Sequence, residues 1–341
     1  MYHLELEGSP YKMGRILGHF FKKNRSDFPI RLNKEQANHG KQSLHILRQI
    51  FPEASEEIRG ITDTINFDHE LFGSWLMCMG CCLTIRKNHN VEVRGCTAFG
   101  FVSNNKAYYG RDNDLPPFLK EVSKSIYYKP MGKHKFILNT SSFVNGEEGM
   151  NEHGLVAAMT FVVPKKDGIK PGLNSLFIVR YILENCKTVS ESIRALKILP
   201  VASSCNILLI DISNEMVVAE CNPSRINLRY PDVNKDGQPF IVTVNHFTSE
   251  KMKQHDRSNQ NVYSSKTRYN TAFNAIKEPV HAEPILFIKE LLRGEYGFMC
   301  QYKNIRFETI WSTVFDLENR KMYLSEGNPA LIGYQDINLF N

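Results

Sequence analysis

Around Gly95 the spacing of apolar residues changes from a helical to a strand repeat, and this switch constrains the fold more than any other feature. Before it, Ser9 can cap a first helix, Pro10 suits the first helical position, and Ile16, Leu17, Phe20 and Phe21 mark one face. A second helix is predicted over Lys34–Ile50 and a third from Glu53 to Thr64 behind Pro52. A fourth begins after Asp68 and runs through the cysteine-bearing stretch. After Gly95, strands are predicted at Cys96–Val102 and Lys106–Tyr109, joined by a Ser103-Asn104-Asn105 turn. Further strands are predicted at 123–129, 135–140 and 155–161, the last entered through a hairpin at Gly149-Met150-Asn151-Glu152-His153-Gly154. Helices Leu173–Asn185 and Val189–Ile198 follow, then strands at 205–211, 215–220, 226–230 and 240–245. Two helices, 264–277 and 283–293, precede a closing strand pair, Thr309–Asp316 and Lys321–Glu326. Strand runs alternating with helix pairs imply α+β packing with stacked sheets and outer helices. No repeat or low-complexity linker divides the 341 residues, so one compact unit is expected, able to bury its core without a metal or disulfide.

Several function classes drop out. The longest apolar run, Leu71–Ile85, is broken by Gly73, Ser74 and Gly80 and is shorter than the roughly 20 residues of a membrane span. Met1–Glu7 carries acids where a secretion signal carries basic and then apolar residues, so the expected location is the cytoplasm. The net charge of +6 is spread along the chain: residues 1–95 hold 13 basic and 11 acidic side chains, which leaves 29 and 25 for the remainder. Nucleic-acid binding, which needs a basic stripe, is not expected. The one dense basic run, Lys22-Lys23-Asn24-Arg25, suits the last turn of a helix.

The eight cysteines are expected to be reduced. Cys78, Cys81 and Cys82 stand at helical spacing in an apolar stretch and read as packed core thiols, because no second pair follows at the spacing of a metal site. Asp232-Val233-Asn234-Lys235-Asp236-Gly237 opens like a calcium loop, but Thr243 occupies the position of the bidentate carboxylate, so a hairpin turn is expected. Gly14 and Gly18 mark close packing of a soluble helix. No phosphate loop, dinucleotide fingerprint, serine elbow or zinc-protease motif occurs. No metal and no cofactor are expected.

Gly95-Cys96-Thr97, at the boundary itself, admits two readings. One is a turn followed by a buried strand cysteine. In the other, a break before Cys96 frees an α-amine with a pKa of about 7.7–8.0 on the residue that carries the thiol, so that nucleophile and base share one residue.

The wider sequence resembles the penicillin acyltransferase family of self-cleaving N-terminal-nucleophile hydrolases, relatives of bile salt hydrolase and penicillin V acylase. The likeness is carried by Gly8-Ser9-Pro10-Tyr11-Lys12-Met13-Gly14 with Gly18, by Gly95-Cys96-Thr97, and by Gly110-Arg111-Asp112-Asn113-Asp114. It continues through Gly149–Leu155, Val244-Asn245-His246-Phe247, Ser264–Arg268 and Trp311–Asp316. The resemblance implies an αββα sandwich behind a helical pro-segment, with residues 1–95 and 96–341 as the two products of a Gly95-Cys96 cleavage. It assigns Cys96 as nucleophile and base, Arg111 and Asp114 as the groups that hold thiol and amine, Asn245 as an oxyanion donor and Arg268 as an active-site arginine. Thr160 stands where relatives carry asparagine or tyrosine and is the candidate for a second substrate or oxyanion contact. Asp112 stands where they often carry asparagine, and His153 reads as a solvated turn residue rather than a catalyst.

The implied activity is hydrolysis of a non-peptide amide through a thioester acyl-enzyme. Two alternatives remain: amine acylation with acyl-coenzyme A as co-substrate, and an uncleaved, non-enzymatic binding protein. The expected partner is a small amide or thioester, with the two fragments staying associated and a homo-oligomer allowed.

Overall fold

A computed structural model describes residues 1–24, 28, 30–82, 95–165, 168–256, 264–279, 283–302 and 307–340. Four helices open the chain after a first strand, β1 (Tyr2–Gly8): α1 (Pro10–Lys23), α2 (Lys34–Ile50), α3 (Pro52–Ile65) and α4 (His69–Cys78). Their starts follow local chemistry. The Ser9 side chain accepts from the Lys12 N–H, Asn33 and Gln36 form a reciprocal capping box, and Asp68 accepts from the Leu71 N–H. Lys22 and Lys23 lie in the last turn of α1, as expected.

The strands after Gly95 are β2 (Gly95–Ser103), β3 (Lys106–Leu115), β4 (Lys124–Pro130), β5 (Phe136–Thr140), β6 (Glu148–Asn151) and β7 (Val156–Phe161). Helices α5 (Ser175–Asn185) and α6 (Val189–Ile198) lead to β8 (Cys205–Ile210), β9 (Met216–Asn222), β10 (Arg225–Arg229), β11 (Asp232–Val233) and β12 (Pro239–Thr243). After the short α7 (Glu250–Lys253) come α8 (Ser265–Lys277), α9 (Pro284–Arg293), β13 (Glu308–Asp316), β14 (Lys321–Ser325) and β15 (Gln335–Asn338). Among the described residues the strands form two sheets, ordered β1-β4-β5-β6-β7-β8-β9-β10 and β11-β12-β2-β3-β13-β14-β15.

Alternation along each strand builds three apolar layers. Ala98, Val102 and Tyr109 of the second sheet meet Met150, Val156, Leu208 and Ile210 of the first. Phe99, Phe101, Phe240 and Val314 face the opposite way, onto Ala272, Ile276, Phe287 and Leu291 of α8 and α9. The outer face of the first sheet, with Tyr128, Leu138, Met159 and Ile207, is covered by Leu17, Ile58, Phe177 and Ile182 from the remaining helices. The result is the αββα sandwich that the resemblance implies.

Several details differ from expectation, among them a further strand, β15, after the expected closing pair and a β2–β3 turn one residue shorter than expected. Residues 2–8 form a strand, because Leu4 and Leu6 alternate with His3, Glu5 and Glu7 and pair in parallel with β4. Helix α4 stops at Cys78, since Met79 turns extended (ψ 139°), so Cys81 and Cys82 lie beyond the helix. His153 is half-buried, its Nε2 lying 3.0 Å from Nδ1 of His134. Two expectations about local packing hold. The Asp232 segment is a turn in which the Asn234 carbonyl accepts from Gly237, and a Cβ on Gly14 would lie 2.0 Å from the Glu57 carbonyl oxygen of α3.

One buried ion network spans the boundary at Gly95. Arg180 of α5 meets Glu57 of α3 at 2.9 Å and Glu184 at 2.7 Å, all essentially without solvent exposure, and the Tyr128 hydroxyl donates to Glu57 at 2.9 Å. The guanidinium also stacks 4.0 Å from the Tyr128 ring centroid. Removing the cation strands two buried carboxylates, so Arg180→Met is expected to destabilise the fold by about 3–5 kcal/mol, read from the midpoint of denaturant unfolding.

Candidate active site

The β2–β3 hairpin sets the site. Asn104 and Asn105 take positive φ (50° and 63°), a two-residue turn whose register places Cys96 opposite Asn113, Thr97 opposite Asp112 and Gly95 opposite Asp114. Because side chains alternate, Cys96, Arg111 and Asn113 face the first sheet, whereas Thr97, Asp112 and Asp114 face α8 and α9.

Cys96 is 3% exposed. Its Sγ accepts from Arg111 Nη2 at 3.1 Å and donates to Asn113 Oδ1 at 3.3 Å. Arg111 also donates to Asn113 Oδ1 at 2.7 Å and, through Nη1, to the Met159 carbonyl of β7 at 2.6 Å. Burial pushes the Cys96 thiol up to about 11, with Arg111 and Arg268 lowering it and the Asp114 charge raising it. In the intact chain residue 96 is therefore a thiol at neutral pH. Among the described residues no imidazole hydrogen-bonds it.

The backbone of Cys96 is held from the other side. Its N–H donates to Asn245 Oδ1 at 2.8 Å, and Arg268 Nη2 donates to the same oxygen at 2.8 Å. Arg268 Nη1 reaches the Cys96 carbonyl at 2.6 Å and Thr97 Oγ1 at 2.7 Å. The Asn245 Nδ2 donates to the Phe161 carbonyl at 2.9 Å, which leaves its second hydrogen uncommitted among the described residues. Asp114 lies behind this layer. It accepts from Thr309 at 2.6 Å and Tyr302 at 2.9 Å and stands 3.9 Å from Arg268. Burial raises its carboxyl, and Arg268 opposes that shift.

Cys96, Arg111, Asn245 and Arg268 are thus in direct contact with one another or with one shared neighbour, and Asp114 reaches them through Arg268. Thr160 is near but differently engaged. Its hydroxyl donates to the Val244 carbonyl at 2.6 Å and accepts from Asn206 Nδ2 at 3.1 Å, bracing the segment that carries Asn245. Gly95 sits in β2 without a positive φ, and the reason for glycine is space: a Cβ would lie 2.6 Å from Phe307 Cζ. Asp112 is buried with no well-formed hydrogen bond to its oxygens among the described residues, and burial pushes its carboxyl well above the usual range.

Asn113 is the residue that motif reading overlooks. The turn read over Ser103-Asn104-Asn105 is one residue too long to find it, because Ser103 pairs with Lys106 and only the two-residue turn at Asn104-Asn105 sets Asn113 opposite Cys96.

Opposite shifts are expected from the two charges around the thiol. In the intact chain, the pH midpoint for alkylation of Cys96 should move above about 11 in Arg111→Met and below it in Asp114→Asn. Identical midpoints in both variants would contradict the electrostatic assignment.

The family described as acyl-coenzyme A:6-aminopenicillanic acid acyl-transferase matches residues 102–331. No curated protein matches the chain. Among solved structures, penicillin V acylase from Agrobacterium tumefaciens is 21% identical, with a TM-score of 0.48 over 72% of this chain and 86% of its own. Two variant structures of conjugated bile acid hydrolase from Clostridium perfringens are similar at 15% identity. One has a TM-score of 0.44 over 71% of this chain and 92% of its own, and the other 0.45 over 72% and 92%. Among the described residues no helix is long and apolar enough to cross a membrane. The family match begins within β2, just past Cys96, and runs to the loop before β15, taking in Arg111, Asp114, Asn245 and Arg268; over that span, well above half of its length, the chain belongs to the acyl-coenzyme A:6-aminopenicillanic acid acyl-transferase family.

Proposed function

We propose that the protein is a self-processing amide hydrolase whose nucleophile is Cys96. In the first step the Cys96 thiol loses its proton and sulfur attacks the Gly95 carbonyl carbon. The Gly95–Cys96 C–N bond then breaks, and the departing nitrogen takes up a proton to become the α-amine of residue 96. Water hydrolyses the Gly95 thioester, releasing a carboxylate on residue 95 and the thiol on residue 96.

The observation that carries this reading is the convergence on Cys96 of a cation at sulfur, a side-chain acceptor at nitrogen and a cation at the carbonyl. A thiol held near 11 by burial needs a local base, and the new amine supplies one within the same residue. On a substrate the same sulfur would form a thioester with the acyl group as the amine leaves. Asn245, with one Nδ2 hydrogen uncommitted among the described residues, is the proposed donor to the anionic oxygen of that step. The committed Thr160 hydroxyl is given no such role.

The fragments 1–95 and 96–341 are proposed to stay together. Leu6 in β1, Ile58 in α3 and the Glu57–Arg180 pair belong to a core or ion network shared by both. Acyl transfer is the second reading, favoured by the description of the family, which names an acyl-coenzyme A donor. Water is the simpler acceptor because it needs no dedicated amine pocket.

Intact-mass measurement of the purified protein is expected to give two species that sum to the full chain plus one water, with Cys96 at the start of the larger one. Cys96→Ala should give a single species and no activity. An active, uncut wild-type chain would refute the proposal. Partition of the acyl-enzyme between water and an added amine separates hydrolase from transferase: product that stays free acid at millimolar amine supports hydrolysis.

A further inference from the structure

Away from Cys96, a second cluster of cysteines has a geometry that core packing does not require. Helix α4 ends at Cys78, and the following turn brings Cys81 and Cys82 back toward α2. There His39 joins them, 42 residues earlier in sequence, with Nε2 3.6 Å from Cys81 Sγ. The donor atoms of His39, Cys81 and Cys82 all lie within 4.8 Å of one another. Cys78, whose Sγ donates to the Gln36 carbonyl of α2 at 3.3 Å, stands at the same α2–α4 contact but outside that group of three.

We propose that His39, Cys78, Cys81 and Cys82 form a structural zinc site that clips the end of α4 to α2. Three thiolates and one imidazole are a complete tetrahedral set for zinc, with no position left for a substrate. A tetrahedron with sulfur bonds of about 2.3 Å has edges of about 3.8 Å, so His39, Cys81 and Cys82, whose donor atoms lie within 4.8 Å of one another, need movements of about 1 Å at most, and Cys78 must turn in from the end of α4 to complete the set. The surroundings favour a built site. Gln36 accepts from Cys78 Sγ through its carbonyl at 3.3 Å and donates through Nε2 to the Cys82 carbonyl at 3.3 Å, fixing both ends of the turn. Cys81 Sγ donates to the Ala202 carbonyl at 3.8 Å. The same His39 nitrogen stands 3.4 Å from Ser43 Oγ, a contact it would exchange for the metal. Cys78 and Cys81 are fully buried, whereas His39 and Cys82 are half-buried, which leaves an entry side.

The inference is independent of the proposed chemistry at Cys96, and its test reads metal rather than turnover. The full chain, purified under reducing conditions, is loaded with zinc and desalted, and metal per chain is measured by elemental mass spectrometry. A parallel sample takes cobalt(II), whose visible spectrum reports tetrahedral geometry and thiolate charge transfer. The expected result is about one zinc per chain and a tetrahedral thiolate–cobalt spectrum. Affinity should fall by more than about 100-fold in His39→Ala and Cys82→Ser, because loss of an outer-shell partner alone costs about 10–100-fold. Cys300→Ser, whose thiol contacts the Arg293 carbonyl at the end of α9, should bind as wild type. The wild-type cobalt spectrum decides the matter even if a variant fails to fold. Absence of bound metal, an octahedral spectrum, undiminished binding in the two variants, or a Cys81–Cys82 disulfide in the reduced preparation would each overturn the proposal.

Discussion

The register of one hairpin governs the site. With a two-residue turn at Asn104-Asn105, every pairing from Ser103–Lys106 down to Gly95–Asp114 follows. A slip by one residue would turn Arg111 and Asn113 away from Cys96 and bury Asp112 between the sheets. The register is secured at both ends. At the turn, asparagine tolerates the left-handed conformation. On the faces, Phe99 and Phe101 must meet α9 while Ala98 and Val102 meet the first sheet. Apolar packing on two opposite faces thus positions a polar cluster that contributes little packing of its own.

Within that cluster the balance of charge is unusual for a protein interior. Arg111 and Arg268 are both fully buried, yet among the described residues the carboxylate in ion-pair range is Asp114, 3.9 Å from Arg268. Both guanidinium groups donate to carbonyl and amide oxygens, those of Met159, Asn113, Cys96 and Asn245. Arg111, solvated by these dipoles, keeps a positive field at the Cys96 sulfur, and Arg268, in ion-pair range of Asp114, adds to it at the Cys96 carbonyl. A field of that sign lowers the energy of any negative charge that develops there. Burial opposes it by disfavouring the thiolate, and burial is the larger effect on the resting thiol.

The two segments on either side of Gly95 are legible to different degrees. The caps at Ser9, Asn33 and Asp68 and the 3.6-residue repeat locate the helices α1 to α4, because both signals are local. Strand β1 escapes a local reading although Leu4 and Leu6 alternate with acids, since one short edge strand is recognisable only beside its partner β4. The end of α4 escapes it too, because the apolar run continues past Cys78 and periodicity carries no stop signal there. At the candidate site, motifs identify Cys96, Arg111, Asn245 and Arg268, and the structure brings them together. Asn113 lies inside one of those motifs without standing out from it. The bracing partners of Asp114, Tyr302 and Thr309, lie nearly 200 residues along the chain.

The order of residues suffices for the helices and most strands, the stacked layering and the family resemblance, because these rest on local periodicity and on the order of short motifs. It does not suffice for the Cys96–Asn113 pairing: the three-residue turn read over Ser103-Asn104-Asn105 would set Cys96 opposite Asp112, whereas Ser103 itself pairs with Lys106. The packed chain was needed to settle that Asn245, rather than Asp114, takes the Cys96 N–H, that the Thr160 hydroxyl is spent on Val244, and that His39 stands beside Cys81 and Cys82. Each of these depends on where two distant segments meet. That is set by the packing of whole layers, and no window of sequence contains it.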